Sequence, residues 1–409
     1  MLDYRIMVWR GRNYARRRGD RLPIPSGKAL RRNAILYRVL RGLIAPFVLR
    51  RFRFESEEAP DFPSPYVIIS NHVTELDFFF VARTLKKPMT FVVGESLFRN
   101  RFVAWLIGDM FGCISKQKGT ADVQTAMGML RWLRQKGNVC LYAEGSTTFD
   151  GHTACIPQAT GTLLRTVGAG LITYRIEGAY FAMPRWGRGI RRGKTRGHVI
   201  NTYTPEQLKG MSADSINAAL LTDLCEDAYA RQETEQIPYR GRRLAEGLEY
   251  ALYCCPKCLS VGALNTRDDR VACTCGMRAR YLPTGFFADD LPFRSVDKWM
   301  AWQREHLREM VKTAGDNPLF RDDNQQLSLR GEGHSLQAVA KGLLTISPNA
   351  LCVGDTRFPI ADICGMEIYR KGTLLFSTAQ GLHYQIDSPY ARSALKYRDA
   401  WQFVKEGRD

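Results

Sequence analysis

The sequence predicts an α/β fold with a central, mostly parallel sheet and flanking helices. A small cysteine-paired segment and a β-rich C-terminal module follow it. Three observations carry this expectation. Between residues 56 and 205, short apolar runs alternate with stretches of helical period. Near residue 250 two close pairs of cysteines interrupt the texture. From about Asp323 the chain becomes short alternating segments. The expected units are 1–55, 56–250, 251–285 and 286–409.

Taken in order, residues 1–27 are basic and contain Pro23, Pro25 and Gly27, so they form no regular element. Lys28 to Arg51 has helical periodicity. Leu36, Val39, Leu40, Leu43, Ile44, Phe47 and Val48 make its apolar face, and Arg32, Arg38, Arg41 and Arg50 lie elsewhere. Such a helix suits a membrane surface, and it equally suits packing on a core. Pro65 to Ser70 reads as a buried strand and Leu76 to Leu85 as an apolar helix. Met89 to Val93, Asn138 to Tyr142 and Leu171 to Ile176 read as further strands, and Thr120 to Lys136 as a helix. Phe102 to Ile107 is strongly apolar and is expected to pack, with a dip into lipid as the alternative. Ser212 to Gln232 reads as one helix closing this unit.

Cys255-Pro256-Lys257-Cys258 is followed by Cys273-Thr274-Cys275-Gly276. Two cysteine pairs on neighbouring hairpin turns supply four thiolates for a tetrahedral Zn²⁺, and a segment with little core needs such a staple. The pattern resembles a zinc ribbon, although its second pair is one residue short and Cys254 is an alternative ligand. Beyond it come a helix, Val296 to Thr313, and strands at 343–346, 350–353, 366–369, 374–377 and 382–386. A closing helix is expected around 391–404. That order of elements resembles a pleckstrin-homology-like module. His383, on an alternating strand, is expected to be packed or exposed, not a ligand.

Charge separates the classes of partner. The net charge is +18, and residues 1–55 hold fifteen Lys and Arg against three acids, a net +12. A second run, Arg185 to Arg196, adds six cations and no acid. Anionic lipid, phosphorylated substrates or nucleic acid would suit these patches. The basic runs lack interleaved aromatics, which disfavours nucleic acid. No run of about 18 apolar residues suggests a spanning helix, and no signal peptide is visible. Eleven cysteines scattered outside one cluster fit a reducing, cytosolic setting.

The most informative stretch is Asn71-His72-Val73-Thr74-Glu75-Leu76-Asp77, at the end of the first buried strand. Chemistry gathers at such strand ends in open α/β sheets. A carboxylate near an imidazole fixes its tautomer and stabilises the imidazolium. Residues five apart lie on different faces of a helix, so His72 must precede the helix to meet Asp77. Cys113 and Cys140 sit in apolar contexts where thiols are inert, so no covalent nucleophile is evident.

These residues resemble the glycerolipid acyltransferase family. Its first block, Asn-His-x-Ser-x-x-Asp, is matched by Asn71, His72 and Asp77, with Thr74 for Ser. Its second, a Gly followed six residues later by Arg, is similar to Gly112 to Lys118, with Lys118 for Arg. Its third, Phe-Pro-Glu-Gly-Thr-Arg-Ser, is similar to Tyr142-Ala143-Glu144-Gly145-Ser146-Thr147-Thr148, which keeps Glu and Gly and lacks Pro and Arg. A fourth block has a proline that is absent near Leu171 to Tyr174. The resemblance covers residues 56–205.

The resemblance implies His72 as general base and Asp77 as its orienter. It implies substrate contacts at Asn71, Thr74, Lys118, Glu144, Gly145, Ser146 and Arg175, with the Arg185 to Arg196 run as further candidates for an acceptor phosphate. Zinc would be structural, held by Cys255, Cys258, Cys273 and Cys275. The donor would be acyl-CoA or acyl-carrier protein and the acceptor a lysophospholipid, first 1-acyl-glycerol-3-phosphate. Glycerol-3-phosphate or another lysolipid is the alternative acceptor. A non-catalytic lipid- or nucleic-acid-binding protein is the alternative class. The expected location is peripheral, at the cytoplasmic face of the cell membrane, on anionic lipid.

Overall fold

The structure is a computed structural model and describes residues 26–99, 101–116, 123–288, 291–331 and 335–407. Residues 1–25, with seven of the fifteen N-terminal cations, and Lys118 lie outside them.

The first helix, α1 (Gly27–Val39), starts on Ser26, whose side chain accepts from Ala29 N, and runs through a π turn into α2 (Ala45–Leu49). Its inward side is Asn33, Tyr37, Leu40, Ala45 and Leu49, all buried. Asn33 donates to the carbonyls of Met89 and Phe111, and Tyr37 to that of Leu85. The seven-residue apolar face expected from the sequence is therefore divided. Leu40 packs inward, whereas Leu43 and Phe47 are 71% and 83% exposed.

Next come β1 (Phe54–Ser56), β2 (Tyr66–Ser70), α3 (Asp77–Thr84), β3 (Met89–Gly94), α4 (Arg101–Ala104), β4 (Ile114–Lys116), α5 (Val123–Arg134) and β5 (Asn138–Tyr142). The unit closes with α6 (Ala159–Thr166), β6 (Gly170–Glu177), α7 (Ala179–Ala182), β7 (Thr195–Tyr203), α8 (Pro205–Gly210), α9 (Ala213–Leu224) and α10 (Ala228–Glu235). The sheet order is β1-β7-β6-β2-β5-β3-β4, and only the β6–β7 pair is antiparallel. Alternation divides β2 between two layers. Tyr66 and Ile68 pack with Phe80 and Tyr174, and Val67 and Ile69 with Leu164 and Leu220. The helix expected over 212–232 is two helices. Cys225 is extended, and Asp227 begins the second by accepting from Ala230 N. The Phe102 segment does not pack as expected: Phe102 and Trp105 are 67% and 47% exposed.

A three-stranded ribbon follows, β8 (Leu264–Arg267), β9 (Arg270–Cys273) and β10 (Arg278–Arg280), in the order β10-β9-β8. Helix α11 (Val296–Thr313) fastens to it. Gln303 accepts from Tyr253 N and donates to Ala251 O, and Trp299 donates to Cys254 O.

The C-terminal module has seven antiparallel strands: β11 (Phe320–Arg330), β12 (Leu336–Ile346), β13 (Ala350–Val353), β14 (Thr356–Pro359), β15 (Ile363–Tyr369), β16 (Thr373–Thr378) and β17 (His383–Asp387). Their order is β14-β13-β12-β11-β17-β16-β15. Helix α12 (Leu395–Glu406) closes the module with Leu395, Tyr397, Ala400 and Phe403 buried. β11 was not legible in sequence, because its polar run 321–326 conceals the alternation. His383 is packed, with Nδ1 2.7 Å from Ser377 Oγ. One buried apolar cluster runs through all three pieces.

Candidate active site and cysteine cluster

Strand β2 lies between β5 and β6, so the chain leaving it at Asn71 enters the crevice at the strands' carboxyl ends. Asn71 is buried and spent on β6: its Nδ2 donates to Ile176 O and its Oδ1 accepts from Ile176 N. It locks the turn to β6.

Asp77 opens α3 and is buried. One oxygen accepts from Thr74 N and Thr74 Oγ1, at 2.9 and 2.7 Å. The other accepts from Val73 N at 2.7 Å and lies 2.9 Å from His72 Nδ1. A carboxylate accepts only, so His72 carries its hydrogen on Nδ1 and keeps a lone pair on Nε2. Thr74 Oγ1 also accepts from Leu76 N, so Thr74 shapes the turn through both its backbone and its hydroxyl. The imidazole stacks on Tyr142, 4.5 Å between centroids and 21° between planes, and stays partly exposed.

The third block meets the first through Glu144. Its two oxygens accept from His72 N at 2.7 Å and Ala154 N at 2.6 Å. Burial pushes its pKa up to about 8, against the pull of these two donors. Glu144 is a staple between turns, not a free carboxylate. Gly145 has φ +73°, a conformation glycine reaches without strain. A side-chain carbon added there would lie 3.9 Å from Lys116 Nζ. Ser146 sits in the same turn, partly exposed. Thr148 N donates to His72 O, closing the loop on the His72 turn. The crevice beside His72 is lined also by His152, Ile176, Tyr180 and Glu226.

Several expectations are corrected by this geometry. Arg175 points to the opposite face of the sheet, where its guanidinium bonds Glu177 and the carbonyl of Cys225. In the basic run, Arg188, Lys194 and Arg196 pair with Glu246, Glu55 and Glu235, and Arg191 donates to Leu244 O. Those four cations therefore have partners within the protein. Lys118 lies outside the described residues; among those described, Lys116 Nζ comes near Gly145. His152 and Glu226 carried no sequence signal, because chain folding alone brings them to His72. Burial pushes the Cys113 thiol up to about 12 and that of Cys140 higher still, so neither is a nucleophile.

The sulfurs of Cys255, Cys258, Cys273 and Cys275 lie within 4.8 Å of one another. Cys258 and Cys273 are 3.7 Å apart, and Cys255 and Cys275 3.8 Å. A tetrahedron with Zn–S of about 2.3 Å has edges of about 3.8 Å, so the set fits a closed four-thiolate ion. The short second pair works because Gly276, at φ +87°, turns the chain and Cys273 N bonds Met277 O. Cys254 is outside the cluster, with its sulfur on the carbonyl of Leu259.

Residues 51–176 match the family model described as Acyltransferase. Over this segment the chain is similar to that family. Among solved structures, the 1-acyl-sn-glycerophosphate (LPA) acyltransferase PlsC from Thermotoga maritima is similar over 48% of this chain and 84% of its own. The identity is 16% and the TM-score 0.40, too distant to carry an argument about substrate. No curated protein matches the chain.

Proposed function

We propose that this protein is an O-acyltransferase that moves a fatty acyl group from a thioester to a hydroxyl of a lysophospholipid, 1-acyl-glycerol-3-phosphate first among them. The donor is acyl-CoA or acyl-carrier protein. The observation that carries this reading is His72 Nδ1, held 2.9 Å from a carboxylate that is itself fixed by three other donors. Nε2 takes the proton of the acceptor hydroxyl as that oxygen bonds to the thioester carbonyl carbon. The tetrahedral intermediate collapses, the C–S bond breaks, and the imidazolium returns its proton to the leaving thiolate. An ester and a free thiol result. Asp77 stabilises the imidazolium between these transfers. Lys116 lies beside Gly145, in the turn where the acceptor phosphate would approach.

The acceptor lives in a bilayer, and among the described residues no helix is long and apolar enough to cross one. The reading therefore includes a peripheral enzyme at the cytoplasmic membrane face. Leu43 and Phe47 point outward from α1 and its continuation, and Phe102 and Trp105 from the neighbouring segment. Arg32 ties the two segments together through the carbonyls of Asp109 and Met110. Apolar side chains among arginines suit an anionic headgroup layer. The four cysteines hold a structural Zn²⁺ with no open position for substrate.

The test is direct. The purified protein is incubated with an acyl thioester and a panel of lysophospholipids and glycerol-3-phosphate, and products are read by mass. Phosphatidic acid from 1-acyl-glycerol-3-phosphate is expected. Thioester left intact with every acceptor would overturn the reading.

A further inference from the structure

Arg185 is held by backbone carbonyls. Among the described residues no carboxylate lies within ion-pair distance of it. Its guanidinium instead gathers three backbone carbonyls. Nη1 donates to Thr147 O at 2.7 Å, Nε to Arg370 O at 2.8 Å and Nη2 to Ile368 O at 2.7 Å. The guanidinium carbon also lies 4.2 Å over the ring of Phe149. Thr147 and Phe149 belong to the loop that starts at Glu144 and Gly145. Ile368 and Arg370 belong to the end of β15 and the turn into β16. One planar fork thus bridges the α/β unit and the C-terminal module.

The same turn is held at two more points. Lys371 donates to Gly187 O. A side chain added at Gly372 would meet Tyr250 Cε1 at 2.9 Å, so the turn sits in a close-fitting socket. On the other side, the bridged loop touches the catalytic turn through Thr148 N to His72 O and Glu144 to His72 N. The path from the C-terminal module to the imidazole is therefore continuous and short.

We infer that the C-terminal module is a working part of the acyl-transfer site, and that Arg185 is a positioning residue that fixes the Glu144–Phe149 loop against His72 by anchoring it to the β15–β16 turn. This rests on the reading of His72 as the general base. A lysine in its place would keep the charge and lose the three-way planar geometry. Misplacement of catalytic groups by about 1 Å costs on the order of 10² in rate, so the anchor matters to turnover even though it touches no reactant.

The experiment uses the full chain and three variants, Arg185→Met, Arg185→Lys and Gly372→Val. The last leaves the α/β unit unaltered and pushes the turn off Tyr250 from the far side. Turnover, KM and amide hydrogen exchange over residues 143–150 are measured on each. In Arg185→Met, kcat should fall on the order of 10²-fold while KM for donor and acceptor stays within about threefold. Arg185→Lys should recover only a minor part. Exchange in the loop should rise in Arg185→Met and in Gly372→Val alike. A folded Arg185→Met protein with kcat within about twofold of the parent would overturn the inference, as would unchanged loop exchange in Gly372→Val. Should Arg185→Met not fold, Gly372→Val decides alone. Should the parent protein transfer no acyl group, the functional reading fails, and loop exchange still decides whether the module holds the loop.

Discussion

His72 and Asp77 are paired, but removing them has different consequences. His72 is partly exposed and contributes one ring to a stack. In His72→Ala, turnover should drop on the order of 10²–10⁴-fold with the unfolding midpoint nearly unchanged. Asp77 is buried, and its two oxygens accept three bonds besides the imidazole's. Asn offers one acceptor oxygen, so an amide group would face backbone N–H donors. Asp77→Asn should therefore lose activity through the wrong tautomer and also lose about 1–3 kcal/mol of stability. Urea melts beside turnover assays separate the two. An Asp77→Asn protein as stable as its parent would contradict the bonding described for this turn.

At the scale of single elements, the first helix has two faces with opposite duties. Leu40 is buried, so Leu40→Glu should unfold the region instead of testing a membrane contact. Leu43→Glu with Phe47→Glu charges only the outward face. That variant should release the protein from anionic liposomes in co-sedimentation while short-chain soluble substrates still turn over. Binding that survives both changes and is indifferent to salt would remove this face as the anchor. The ribbon makes a separate prediction. Metal analysis should find about one zinc per chain, and a Cys258→Ser/Cys273→Ser protein should lose it together with thermal stability. Full zinc in that variant would contradict the four-cysteine assignment.

At the scale of the whole molecule, the three pieces share one core, and polar ties set how they respond to solution conditions. His152 links the first unit to α11: its Nε2 is 3.6 Å from Asp297 and its Nδ1 3.8 Å from Asp227. Asp297 above all, with Asp150 and Asp227, raises the histidine's pKa above its ordinary value, and His152 in turn lowers that of Asp297. A raised folded-state pKa means the folded protein holds the proton more tightly. The stabilisation is therefore complete below the unfolded histidine's pKa, about 6.5, and is lost as pH rises through the elevated value. His152→Gln should be less stable than the parent near about pH 6, and the difference should shrink as pH rises through the elevated value. A difference that does not change across that range would show that the tie is not ionic.

What sequence alone determined about this protein is the chemistry that lies close along the chain. His72 and Asp77 are five residues apart, so strand-then-helix patterning settles how they meet. The cysteine pairs are equally local, and the buried strands announce themselves by composition. Tertiary structure decided the rest, because it depends on which faces are brought together. Arg175 and Ile176 are neighbours, and only the packing of α3 on one side of β6 assigns the first to a structural ion pair and the second to the crevice. Phe47 and Leu40 look alike in an apolar stripe until Tyr37 and Asn33 fix which side faces the core. Arg185 reads as one more cation in a basic run. Its role appears only when a turn nearly two hundred residues away presents two carbonyls beside that of Thr147, since hydrogen bonds to backbone leave no trace in the identity of the residues that accept them.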